Sequence, residues 1–165
     1  MKRELKFKVC DQTTNKVYNA VGMVYGPDLD IVQVLAQNPK NKDEAIRLFD
    51  NFELLQYTGL KDKKGNEIFE YDIIYSKKWE KEVCLSMGLN PKNYKLVFTV
   101  SFNFGEWRLS DFDTEGSANC TETMMLYIDE PPFNIPIFDD FVVLGNIFEN
   151  YDIIDKINLL SLNEN

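Results

Sequence analysis

Histidine is absent from the 165 residues. Without imidazole there is no Ser-His or Cys-His dyad, no His-ligated zinc and no histidine proton shuttle, so most hydrolase and metalloenzyme templates fail. Cysteine is scarce: Cys10, Cys84 and Cys120 form an odd, widely spaced set with no Cys-x-x-Cys pair, and they read as free thiols in a reducing cytoplasm. No apolar run exceeds the five residues Met124 to Ile128, and the opening Met1-Lys2-Arg3-Glu4 lacks a signal-peptide core. The expectation is a chain that neither spans a membrane nor is exported. The eight glycines form no G-x-G-x-x-G, no Walker loop and no G-x-S-x-G elbow, so phosphate cradles and serine-hydrolase turns are missing too.

What is present is apolar and acidic. Hydrophobic residues make up 44%, with 12 Phe, 8 Tyr and 2 Trp, enough for a packed core and too many for disorder. The formal charge is -9, which disfavours general binding to a phosphate backbone. It is unevenly placed: residues 1 to 105 carry 16 basic and 14 acidic side chains, residues 106 to 165 only 2 basic and 13 acidic. Such a split permits head-to-tail association of copies or an acidic face for a basic partner, and also suits a merely solvated acidic surface.

Along the chain, Leu5, Phe7 and Val9 alternate with charged residues as in a half-buried strand, and Val17 to Tyr25 reads as its hairpin partner. Ile31 to Leu35 reads as a short strand. Asn41 with Asp43 and Glu44 predicts a helix start, followed by Ala45, Ile46, Leu48, Phe49 and Phe52 on one helical face. Strands are expected at Leu54 to Thr58, Ile68 to Tyr75, Leu96 to Phe102, the Trp107 and Leu109 segment, Met124 to Ile128 and Phe141 to Ile147. Lys77 to Asn93 reads as a charged, breaker-bearing connection. Asn150 is expected to cap a terminal helix over 151 to 162 with a stripe of Ile153, Ile154, Ile157 and Leu160. About eight short strands against two helices predict a mainly β, β-rich α+β domain over 1–165, single or in two lobes of about 1–55 and 56–150.

Three constellations carry chemistry on paper. Asp111, Asp113, Glu115 and Glu122, with Gly116 at the sixth position, have the spacing of a calcium loop, but Glu115 and Ala118 depart from that pattern and neither flank reads as a helix. An acidic solvated loop is the plainer alternative. Glu70 with Asp72, or Asp139 with Asp140, offers paired carboxylates for acid/base work, although 27 acids make chance pairs common. Lys61, Lys63, Lys64, Lys77, Lys78 and Lys81 with Trp79 sketch a basic aromatic patch, diluted by six acids within 61 to 95.

The segment Gln56-Tyr57-Thr58-Gly59-Leu60-Lys61-Asp62-Lys63-Lys64-Gly65-Asn66-Glu67-Ile68-Phe69-Glu70-Tyr71-Asp72-Ile73-Ile74 resembles the hallmark of the YopX family of bacteriophage and prophage proteins. Arg3 to Val9 resembles that family's opening strand, Gly105-Glu106-Trp107-Arg108-Leu109 its later hairpin, and Val143-Leu144-Gly145-Asn146-Ile147 its closing strand. Cys10 stands where the family has Trp, and Tyr71 where its Glu-Gly-Asp turn has Gly. The resemblance implies a β-rich fold with an SH3-like barrel portion, working in bacterial cytoplasm, and no assigned reaction or cofactor. Its motif residues Gln56, Tyr57, Thr58, Gly59, Leu60, Asp62, Gly65, Glu70, Asp72, Gly145 and Asn146 read as mainly structural. The functional expectation is a non-enzymatic binding protein acting on another protein or on itself. The alternative is nucleic-acid recognition through the barrel, or its inverse, an acidic DNA mimic that occupies a host protein's basic groove.

Overall fold

The computed structural model describes residues 5–86, 88, 90, 97–103, 106–111, 140–150 and 152–153. They form strands β1 (Phe7–Asp11), β2 (Lys16–Tyr25), β3 (Ile31–Gln37), β4 (Ala45–Leu48), β5 (Phe52–Lys61), β6 (Glu67–Phe69) and β7 (Asp72–Tyr75), then helix α1 (Lys77–Ser86), and strands β8 (Val97–Asn103), β9 (Glu106–Asp111) and β10 (Val142–Asn146). The strands make two antiparallel sheets, six-stranded in the order β4-β3-β2-β1-β5-β6 and four-stranded in the order β10-β7-β8-β9. The fold is mainly β, as the alternation predicts. No helix among the described residues is long and apolar enough to cross a membrane.

The first sheet is curled. Only Phe49 to Asn51 separate β4 from β5, although β3, β2 and β1 lie between them in the sheet. Four strand spacings in a flat sheet span about 19 Å. Four Cα steps reach about 15 Å at most. The curl encloses Val9, Val34 and Ala36, against which Ile46, Leu48, Phe52 and Leu54 pack. The described strands stay open and do not close a barrel by hydrogen bonds. The second core lies between the sheets, where Ile68 of β6 meets Ile74, Phe98, Val100 and Phe141.

Two helix expectations are corrected. Residues 41 to 52 hold no helix: Ala45–Leu48 is the edge strand β4, pairing Ile46 with Ala36 and Leu48 with Val34. Ala45, Leu48, Phe49 and Phe52 carry a helix's spacing, whereas Ile46 and Leu48, two apart, share a face only in a strand, and the edge of β3 decides in favour of the strand. Asn41 instead accepts from the Asp43 N–H at 3.2 Å, an Asx turn. Conversely, the stretch beginning at Lys77 is helical to Ser86. Ser76 caps it, its Oγ accepting from Trp79 N at 3.3 Å, and its first turn carries Glu80. The single strand expected over Ile68 to Tyr75 is split at Glu70 and Tyr71. The strand Met124 to Ile128 and nearly all of the terminal helix lie outside the described residues. Of that helix only the turn closed by Ile153 N donating to Asn150 O at 2.9 Å is described.

Candidate functional site at the junction of the sheets

The hallmark segment sits where the sheets meet. Between the pairs Tyr57–Phe69 and Lys61–Glu67, β5 carries two residues more than β6, so the strand bulges. Gly59 takes φ 87 at the bulge, and Thr58 braces it: its hydroxyl donates to Ile68 O at 2.8 Å and accepts from Leu60 N at 3.1 Å. The turn after it is organised by Asp62. Its Oδ1 accepts from Lys64 N and Asn66 N, both at 2.8 Å, while Oδ2 accepts from Asn66 Nδ2 at 3.0 Å and from Val143 N at 3.0 Å. Burial pulls this carboxyl up, but the hydrogen bonds outweigh it and hold it below the ordinary aspartate range. One buried carboxylate thus ties the turn to β10, and Lys63 N donating to Phe141 O at 2.9 Å doubles the tie.

Tyr71 hinges the two sheets. It adopts φ 62, the left-handed conformation that glycine takes most cheaply. Its N–H donates to Val100 O at 2.7 Å, its carbonyl accepts from Ile147 N at 3.1 Å, and its ring stands edge-on to Phe148. Side-chain packing therefore accompanies the strain of a non-glycine residue in this conformation. Asp72 follows, 2% exposed, with Oδ2 accepting from Phe69 N at 2.8 Å and Oδ1 from Asn146 Nδ2 at 3.3 Å. Burial raises this carboxyl, against the Phe69 hydrogen bond, the Lys8 charge and Asn146. Gly145 completes the knot because Asn150 lies against it: Asn150 Oδ1 accepts from Asn146 N at 3.1 Å, and a Cβ at position 145 would strike that oxygen.

These motif residues converge, but on architecture. Glu70 and Asp72 do not share a strand face: the left-handed Tyr71 breaks the alternation between them, and Asp72 has both oxygens engaged. Glu70 is half-buried, raised by burial, and accepts weakly from Gln56 N at 3.5 Å. Cys10, buried beside Asp11, Glu149 and Glu53, is pushed by burial and by those charges to about 11, so its thiolate is suppressed. Of the calcium-spaced set, Asp111 ends β9, paired with Phe98, and Asp113, Glu115 and Glu122 lie outside the described residues. Among the described residues no group of three acidic or thiol side chains could hold a metal ion. The lysines of the basic patch are exposed, whereas Trp79 packs inward, 6.2 Å from the Phe141 ring.

Sequence reasoning missed the far end of the first sheet. There β2 runs on past β1, whose pairing with it stops at Asn19, and Leu5, Val21, Met23 and Tyr25 line an open groove of about 600 Å³. Lys6 and Glu67, also in its lining, form an ion pair. Around it Val21, Tyr25 and Leu29 are 60%, 57% and 80% exposed. The signal was legible: Val21 to Tyr25 has no polar residue to mark a solvent face.

The fold has a solved counterpart. A crystal structure of protein EF1440 from Enterococcus faecalis is similar with a TM-score of 0.50 and 19% identity, covering 93% of this chain and 99% of that one. That likeness concerns the fold alone. No curated protein matches the chain. A family model described as YopX protein matches residues 6–155. With the bulge, the Asp62 turn and the Gly145-Asn146 knot accounting physically for the hallmark residues, the chain belongs to the YopX family.

Proposed function

We propose that this chain is a phage- or prophage-type binding protein that works in the bacterial cytoplasm by protein–protein association, with a second copy of itself as first partner, and not by catalysis. The observation that carries the reading is the apolar end of the β2–β3 hairpin. Leu29 is the most telling residue: it is 80% exposed and sits at φ 64. A branched apolar side chain in a left-handed turn is unfavourable to the free fold both by strain and by hydration. Contact with a partner's surface gives that exposure a use. The buried thiols Cys10 and Cys84 are free, which suits a reducing compartment. The curled β1 to β5 portion is the part we read as SH3-like.

Light scattering after size exclusion tests this directly. Leu29→Asn, which tolerates the left-handed turn, combined with Tyr25→Thr is expected to weaken self-association about tenfold or more while leaving the melting temperature unchanged or higher. Association through this apolar end persists at high salt. A strict monomer at every concentration and salt, or a double variant that associates as the parent does, overturns the reading.

A further inference from the structure

Six lysines that the sequence scatters among acids fall, all exposed, on two elements that meet at one short segment of the fold. Lys61, Lys63 and Lys64 lie at the end of β5 and in the turn after it, and Lys77, Lys78 and Lys81 on the outer face of α1, all exposed. Both elements dock on the same short segment. Lys63 N donates to Phe141 O at 2.9 Å, the Trp79 ring lies 6.2 Å from the Phe141 ring, and Lys78 Nζ reaches Asp140 Oδ2 at 3.2 Å. The six acids of 61 to 95 that dilute these lysines in sequence are mostly removed from their surface. Asp62, Asp72 and Glu80 are buried, Glu67 pairs with Lys6, and Glu70 is half-buried at the sheet junction. Among these described residues, Glu82 and Asp140 remain against the six, a net of +4 for this set on a chain of net -9.

We infer that this lysine surface is an interface for acidic polypeptide, supplied by the acid-rich C-terminal third of a second copy in head-to-tail association. Charge complementarity selects the partner: residues 106 to 165 carry 13 acidic and 2 basic side chains, and the stretch 112 to 139 carries six acids and no base. The surface lacks what a nucleic-acid site uses. It contains no arginine for bidentate phosphate contacts, and its aromatic residues, Trp79 and Phe141, are spent on the core. A heterologous contact of this kind joins copies into rings or open chains, unlike a two-fold contact through the apolar hairpin. The inference rests on the reading of the chain as a self-associating protein but uses a different surface, and salt separates the two.

A charge swap tests it in the full-length chain. One variant carries Lys63→Glu, Lys64→Glu, Lys77→Glu and Lys81→Glu; the other carries Asp113→Lys, Glu115→Lys, Glu122→Lys and Asp129→Lys. Circular dichroism verifies that each is folded. The parent is expected to gain mass per particle at low salt over its mass at high salt. Each variant alone loses that gain, with affinity down about tenfold or more, and an equimolar mixture recovers it, since each supplies the charge the other needs. A mixture that stays at the high-salt mass overturns the inference. So does a single chain carrying all eight changes that regains parental stability without associating, because the contact is then internal. Retardation of the parent by an oligonucleotide, lost in the lysine variant, overturns it in favour of phosphate. Loss of the apolar hairpin contact alone leaves the charge-swap result intact, so the two readings fail separately.

Discussion

Two buried aspartates in one motif have opposite linkage to pH. Asp62 receives four N–H donors and is held below the ordinary aspartate range, so its contribution is present above the unfolded pKa and is lost as pH falls through the lowered folded value. Asp72 is raised by burial, so its contribution is present below the unfolded pKa and is lost as pH rises through the raised folded value. Urea unfolding of Asp62→Asn and Asp72→Asn between about pH 3 and 7 separates them. The first variant loses the acid-side decline and on the order of 3 kcal/mol, because its amide NH2 faces Val143 N or Asn66 Nδ2. The second loses the decline towards neutral pH. Parallel profiles for the two variants would refute these assignments. Gly145→Ala is expected to cost about 1 to 3 kcal/mol, since the new Cβ displaces the Asn150 oxygen that accepts from Asn146 N. Thermal unfolding that matches the parent would show that Asn150 rotates away without loss.

At the scale of elements, helix and strand compete on thin margins. The segment Ala45–Leu48 has apolar residues at positions compatible with either period, and no local signal opposes a helix. Pairing with β3 wins because it satisfies a row of backbone groups and puts Ile46 and Leu48 into the curl of the sheet. The helix at Lys77–Ser86 was hidden for the opposite reason. Lysines dominate its outer face, while Trp79, Glu80 and Cys84 turn inward, and a buried glutamate bonded to the Tyr75 hydroxyl at 3.4 Å does not read as an apolar stripe. Its start depends on Ser76, which is 1% exposed and bonds both Trp79 N and Glu80 N. Ser76→Ala is therefore expected to cost about 1 kcal/mol, read as a lower midpoint in urea with unchanged slope. An unchanged midpoint would assign the helix to its tertiary docking alone.

For the molecule as a whole, the hallmark segment and the surfaces proposed for binding overlap only at three exposed lysines. The hallmark joins two open sheets through Asp62, Tyr71, Asp72 and Asn146, each engaged in a named hydrogen bond across or beside the junction. The apolar hairpin end and the lysine surface draw on Leu29, Tyr25 and the flanks of Phe141, of which the hallmark supplies only Lys61, Lys63 and Lys64. Junction and proposed binding surfaces are thus expected to respond to different substitutions: changes at the junction in stability, changes at the two surfaces in association.

The sequence by itself determined the β-rich class, the YopX membership and the missing histidine chemistry, because alternation, a contiguous motif and composition are properties of the chain read along its length. The paired strands around Leu5 to Tyr25 and around Val97 to Asp111 were legible for the same reason. Only the tertiary structure decided that 45–48 is a strand, that Asp62 and Asp72 are buried, and that the two elements bearing six exposed lysines meet at one segment. Burial and charge clustering depend on which distant backbone lies alongside. For those lysines the neighbour is Asp140 and Phe141, some 60 to 80 residues further along the chain.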